Sequence, residues 1–109
     1  MINNFKIITI DNKNIHSGHR ERLRNAAAKN GINSLEEHQV LELLLTYTIP
    51  QKDTNPLAHS LIEKFGSFKN VLDAKPEALL LVKGIGVKTA HFLSTIKQFF
   101  YYSLILGTL

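Results

Sequence analysis

Residues 83–90 read Lys83-Gly84-Ile85-Gly86-Val87-Lys88-Thr89-Ala90. An apolar run, Ala78 to Val82, leads into them, and an amphipathic helical pattern leads out from Val87. Two glycines one residue apart let the chain turn sharply between two helices without a Cβ penalty. On this reading the turn needs both glycines, and Gly86→Val is expected to abolish it. The N–H groups of Gly86, Val87 and Lys88 are expected to lack acceptors at the entrance of the second helix, where its dipole is positive. Such a concave turn suits one phosphate of a nucleic-acid backbone. Lys88, in the first turn of that helix, adds a full positive charge. The expected phosphate-binding set is Gly84, Ile85, Gly86, Val87, Lys88 and Thr89, with Lys83, His91 and Lys52 as additional contacts.

Upstream of this turn the pattern is helical as far back as Ser17. Ser17 reads as the cap of a helix over about 19–30, with Leu23, Ala26 and Ala27 as a narrow apolar stripe and Gly31 ending it in the αL conformation. Ser34 and Glu37 have capping-box spacing for a helix over 35–47. Val40, Leu41, Leu43, Leu44, Leu45 and Tyr47 cover nearly all its sides, which predicts burial. Ile49-Pro50 breaks it. Asp53 or Asn55 then caps a third helix with Pro56 in its first turn. Leu57, Ala58, Leu61, Ile62 and Phe65 form its inward face, and Gly66 stops it. Ser67 starts a short helix with Phe68, Val71 and Leu72 inward, and Pro76 opens a brief helix to Val82. The last helix is expected over 87–103, with Ala90, Leu93, Ile96 and Phe100 as its stripe, widened by Phe92 and Phe99. Residues 1–16 read as a tail.

No strand pattern occurs between Ser17 and Ser103, so the fold is expected to be all-α. Helix, tight turn and helix occur twice, over 35–65 and 76–103, bridged by 67–73. This predicts a tandem helix-hairpin-helix domain over 17–109. Only the second hairpin carries Gly-x-Gly, and the first reads as a degenerate partner.

The chain has 109 residues, enough for one domain with one core. Its net charge of +4 favours an anionic partner, with binding that is weak and salt-dependent. With no cysteine, there is no disulfide framework and no thiolate zinc or iron–sulfur site, which fits a reducing cytoplasm. Nothing resembles a signal peptide, and the longest apolar stretch, Phe99 to Leu106, is too short to span a bilayer. No metal site is expected, since His16 and His19 have no nearby acid in sequence and the histidines read as surface residues. Arg20, Arg22 and Arg24 read as a solvated helix surface, with Glu21 able to pair with Arg24.

Several blocks together resemble the amino-terminal helical domain of the RadC family of bacterial proteins. They are Gly18-His19-Arg20-Glu21-Arg22-Leu23-Arg24, Glu42-Leu43-Leu44-Leu45, and Ile49-Pro50-Gln51-Lys52-Asp53-Thr54-Asn55-Pro56-Leu57-Ala58. They continue with Phe65-Gly66-Ser67, Val71-Leu72-Asp73-Ala74 and Gly84-Ile85-Gly86. The resemblance covers about residues 18–100 and implies a DNA-repair setting. Members of that family usually continue into a JAB/MPN-type metal domain with a His-x-His motif. No His-x-His occurs here, so that domain is expected to be absent and the chain to be a piece of a longer protein.

The expected function is sequence-independent binding of the DNA backbone, without catalysis and without a cofactor. The glycine turn is also similar to that of base-excision DNA glycosylases, in which a lysine at the place of Lys88 acts as nucleophile. Such chemistry needs a downstream carboxylate, and Glu77 is the last acidic residue. The alternative function is a helical protein-interaction module, a homodimer or interdomain contact made through Phe99, Phe100, Tyr101 and Tyr102.

Overall fold

The computed structural model describes residues 15–50 and 52–107. The described residues form six α-helices in succession: α1 (Ile15–Asn30), α2 (Glu37–Leu45), α3 (Asn55–Phe65), α4 (Phe68–Asp73), α5 (Pro76–Leu79) and α6 (Val87–Gly107). One 3-10 turn, Ile32–Ser34, lies between α1 and α2. The described residues contain no strand, as the periodicity predicts. Most of the expected tail lies outside the described residues, but 15 and 16 are helical. Ser17 is therefore inside α1 and does not cap it. Ser17 and Gly18 are weak helix formers, yet neither breaks a helix as proline does.

The elements pack as two helix–turn–helix pairs, α2 on α3 and α5 on α6, with α4 against both α3 and α6. Their shared core is Leu41 and Leu45 from α2, Ala58 and Leu61 from α3, Val71 from α4 and Leu79 from α5. Ile85 from the glycine turn and Ala90 and Leu93 from α6 complete it. All are 6% exposed or less. Burying such a side chain contributes about 1.5–3 kcal/mol, so this apolar centre is what holds the two pairs together.

The helix ends differ from their expected caps in instructive ways. Gly31 does take a positive φ of 89°, but with ψ 152° it lies outside αL. Glu36 and Gln39, not Ser34 and Glu37, make the reciprocal box at the start of α2. Ser34 instead donates its hydroxyl to the Gly31 carbonyl at 2.6 Å, and the Glu37 carboxylate accepts the Phe68 amide at the start of α4. Thr54 takes the cap position of α3, while Asp53 Oδ1 accepts the Asn55 amide at 3.0 Å. Ser67 does cap α4, accepting from the Asn70 amide at 3.0 Å.

Three expected core positions are outside. Tyr47 is 61% exposed because α2 ends at Leu45 and the chain turns there. Phe99 and Phe100 are 66% and 58% exposed because α6 runs on past the domain it packs against. No residue from Gln98 to Gly107 is buried.

Candidate phosphate-binding turn

The chain leaves α5 through a turn in which the Ile85 amide donates to the Val82 carbonyl at 3.0 Å. Gly84 has φ 100°, a conformation that strains any residue with a Cβ. A Cβ there would lie 3.4 Å from Leu57 Cδ1 of α3, so the turn also lies close against the first pair. Ile85, 6% exposed, plugs into the core directly after it.

Gly86 behaves differently. Its φ is not positive, and a Cβ there would meet nothing within 4 Å. The expectation that Gly86→Val abolishes the turn is therefore corrected: the fold needs glycine at 84, not at 86. Gly86 faces open space.

From Gly86 to Thr89, four successive amides donate to no carbonyl or side chain among the described residues. The first helical bond of the segment is Ala90 N–H to the Gly86 carbonyl, 3.0 Å. These are the orphan donors of a helix start. They belong to a helix of 21 residues with no acidic side chain in its first turn to compensate them. Val87 is 59% exposed, and Lys83, Lys88 and His91 are exposed around the same turn.

Two members of the expected set have internal roles. The Ile85 amide is used within the turn and its side chain lies in the core. The Thr89 side chain is buried, and its Oγ1 lies 2.8 Å from Thr48 Oγ1, a hydroxyl–hydroxyl hydrogen bond joining α6 to the turn after α2. Only the backbone amide of Thr89 is left for a ligand.

The turn of the first pair is close by. Lys52, Lys83 and Gly84 line one cleft of about 350 Å³, with Asp53, Ser60 and Leu57 among the other walls. Arg20 fixes that turn by donating to the Ile49 and Lys52 carbonyls. Burial, and then the charge of Arg24, lower the Arg20 pKa from its ordinary value. The reading of Arg20 as a solvated side chain is thus corrected. Arg24 lies over the exposed ring of Tyr47, 5.6 Å from its centroid.

A second correction concerns His19. Its Nε2 donates to Glu42 Oε2 at 2.6 Å, and Glu42 is 1% exposed. Asn55 Nδ2 donates to the other carboxylate oxygen at 3.1 Å, and Thr54 Oγ1 donates to the Glu42 backbone carbonyl at 3.2 Å. The carboxylate thereby ties α1 and α3 to α2. A buried acid requires such partners, and Glu42 stands alone in the Leu41–Leu45 run, the one sequence signal that pointed to them. No group of three His, Cys, Asp or Glu among the described residues could hold a metal ion. No described helix is long and apolar enough to cross a membrane.

Comparison with known proteins gives a consistent picture. The UPF0758 protein of Fusobacterium nucleatum is 44% identical over 83 residues, covering 76% of this chain and 36% of that protein. The UPF0758 protein of Ruegeria pomeroyi is 44% identical over 68 residues, 62% of this chain and 30% of that protein. One from Rhodobacter capsulatus is 39% identical over 64 residues, 59% of this chain and 30% of that protein. The chain spans about a third of the length of these relatives. No family model and no solved structure matches it.

Proposed function

From the chain's homology to the UPF0758, or RadC-like, proteins, we propose that this domain is a helix-hairpin-helix module that holds the DNA backbone in a RadC-like repair protein. The observation that carries the reading is the run of amides from Gly86 to Thr89 that have no acceptor among the described residues, at a helix entrance where Gly86, Val87 and Lys88 are exposed. Amides at such an entrance present partial positive charge to one phosphate. Gly86 supports the reading independently. The fold tolerates a side chain there, so its absence is explained by close approach of something outside the chain.

Lys88 and Lys83 neutralise charge beside the amides, and Lys52 extends the positive edge along the cleft it shares with Lys83 and Gly84. His91 lies one turn beyond Lys88 on the same side of α6. Backbone amides and lysines contact phosphates and read no base edges, so binding is independent of sequence. The reading is of a binding module: within these 109 residues no acidic side chain follows Glu77 to act with Lys88 as a nucleophile.

The test is a salt titration of duplex and branched DNA binding, followed by fluorescence anisotropy. Three neutralised phosphates give a log–log slope of roughly −3. Lys88→Glu keeps the fold, weakens binding to all sequences alike and reduces that slope by about one. If Lys88→Glu leaves affinity and slope as they were, the assignment is wrong.

A further inference from the structure

The first three turns of α6 pack on the domain and the rest projects from it. Beyond Lys97 the helix continues for ten residues, about 15 Å at its usual rise. That overhang carries no charged side chain. Phe99, Phe100, Tyr101, Tyr102, Leu104, Ile105 and Leu106 are 42 to 66% exposed on it. A helix apolar on all sides belongs in an interior, and here these side chains stay largely exposed.

Beside the overhang runs an apolar groove of about 860 Å³. Leu44, Phe68 and Leu72 form one side, Ile32 the far rim, and Phe100 and Leu104 of α6 the other wall. Polar groups at its edge satisfy one another. Lys69 Nζ donates to Asp73 Oδ2 at 2.7 Å, Lys97 lies 3.8 Å from Oδ1, and the Tyr101 hydroxyl reaches that oxygen at 3.5 Å. Two lysines share the one carboxylate, so the charge is confined to this edge while the groove walls themselves are apolar. An uncharged apolar helix is what the groove fits, and this chain carries one.

We propose that two copies of this chain pair about a twofold axis through α6, the overhang of each lying in the groove of the other. The Phe100–Leu104 edge of one helix meets the same edge of its partner, and the rest of the overhang covers the partner's α2–α4 wall. Such an isologous contact closes on itself. The area agrees. From the exposed fractions, the overhang offers about 600 Å² of apolar surface, at the upper end of what a monomer exposes in one patch. The groove walls raise each copy's share towards the roughly 800 Å² of a standard interface. Lys88 lies about 20 Å along α6 from Tyr102, so the dimer leaves both glycine turns open and carries two of them.

Sedimentation velocity of the full chain at micromolar concentration, without nucleic acid, tests this independently of the phosphate reading. The native chain is expected to sediment as a dimer. Leu104→Glu, on the overhang, and Ile32→Glu, on the far rim, are each expected to weaken it at least about tenfold by placing a charge in an apolar contact. Both positions are exposed in the protomer, so helical circular dichroism should not change. A folded native monomer, a dimer indifferent to either variant, or open-ended assembly beyond two copies overturns the proposal.

Discussion

Gly84 and Gly86 look equivalent in sequence, and replacing each with alanine should separate the turn's folding role from its binding role. At Gly84 the alanine must hold φ 100°, which costs a residue with a Cβ about 1–3 kcal/mol. Its methyl would also press on Leu57 at 3.4 Å, tight enough to require a small shift. For a domain of this size each kcal/mol lowers the melting temperature by about 4–8 °C. Gly84→Ala should therefore melt roughly 5–20 °C lower. At Gly86 the conformation is ordinary and the space is empty, so alanine is neutral or stabilises by up to about 1 kcal/mol through the unfolded chain. The same methyl adds bulk at the helix entrance beside the amides of Val87 and Lys88, and is expected to hold a phosphate away from them. Gly86→Ala is thus expected to keep its melting temperature and lose at least about tenfold in DNA affinity, near 1.4 kcal/mol. Thermal denaturation by circular dichroism and anisotropy binding on the same samples read both quantities. If Gly86→Ala melts as low as Gly84→Ala, the account of the turn is wrong. If it is stable and binds like the native protein, the amides do not hold the phosphate.

Glu42→Ala strands the Asn55 amide and removes the acceptor of His19, and should cost about 2–3 kcal/mol in urea unfolding. His19→Ala should cost clearly less, because His19 is partly exposed and water replaces it at the carboxylate. Equal losses would mean that the histidine, not the buried acid, organises the junction. The hydrogen bond from Lys69 holds the Asp73 carboxyl below its ordinary pKa. The stability that Asp73 draws from its partners, Lys69 within α4 first and Lys97 of α6 after it, is fully present above the unfolded pKa and is lost as pH falls through the lowered folded one. The acid limb of a stability profile should be shallower in Asp73→Asn, and an unchanged limb would remove Asp73 from the account.

The helical layout was legible because its signals are local. Gly66 stops α3, Ser67 caps α4, Pro76 starts α5 and the apolar spacing orients each face. The errors come from information that is not local. Periodicity marks Phe100 as core because it follows Leu93 and Ile96 in register, but periodicity does not say where the domain beneath a helix ends. The link between His19 and Glu42 spans 23 residues, and that between Arg20 and the first turn spans about 30. No spacing rule reaches so far. Within the candidate site, the lysines and the free amides follow from the motif. The inward turn of Ile85 and Thr89 does not, because it depends on where α2 and α3 lie. Gly84 and Gly86 likewise differ only through φ and the position of Leu57.

Those inward contacts determine how stiff the site is. Ile85 anchors one end of the exposed amides in the core, and the Thr48–Thr89 bond pins the other end to the first pair. Gly84 seats the turn against Leu57, while Arg20 clamps the carbonyls of the neighbouring turn where Lys52 sits. Four amides held between two buried side chains lose little freedom when an anion arrives, so little of the interaction is spent on ordering them. The lysines are different: exposed and flexible, they follow a phosphate without fixing its place. Position therefore comes from the backbone and charge from the side chains. That division is why Gly86→Ala should move affinity with little effect on the salt slope, whereas Lys88→Glu should move both.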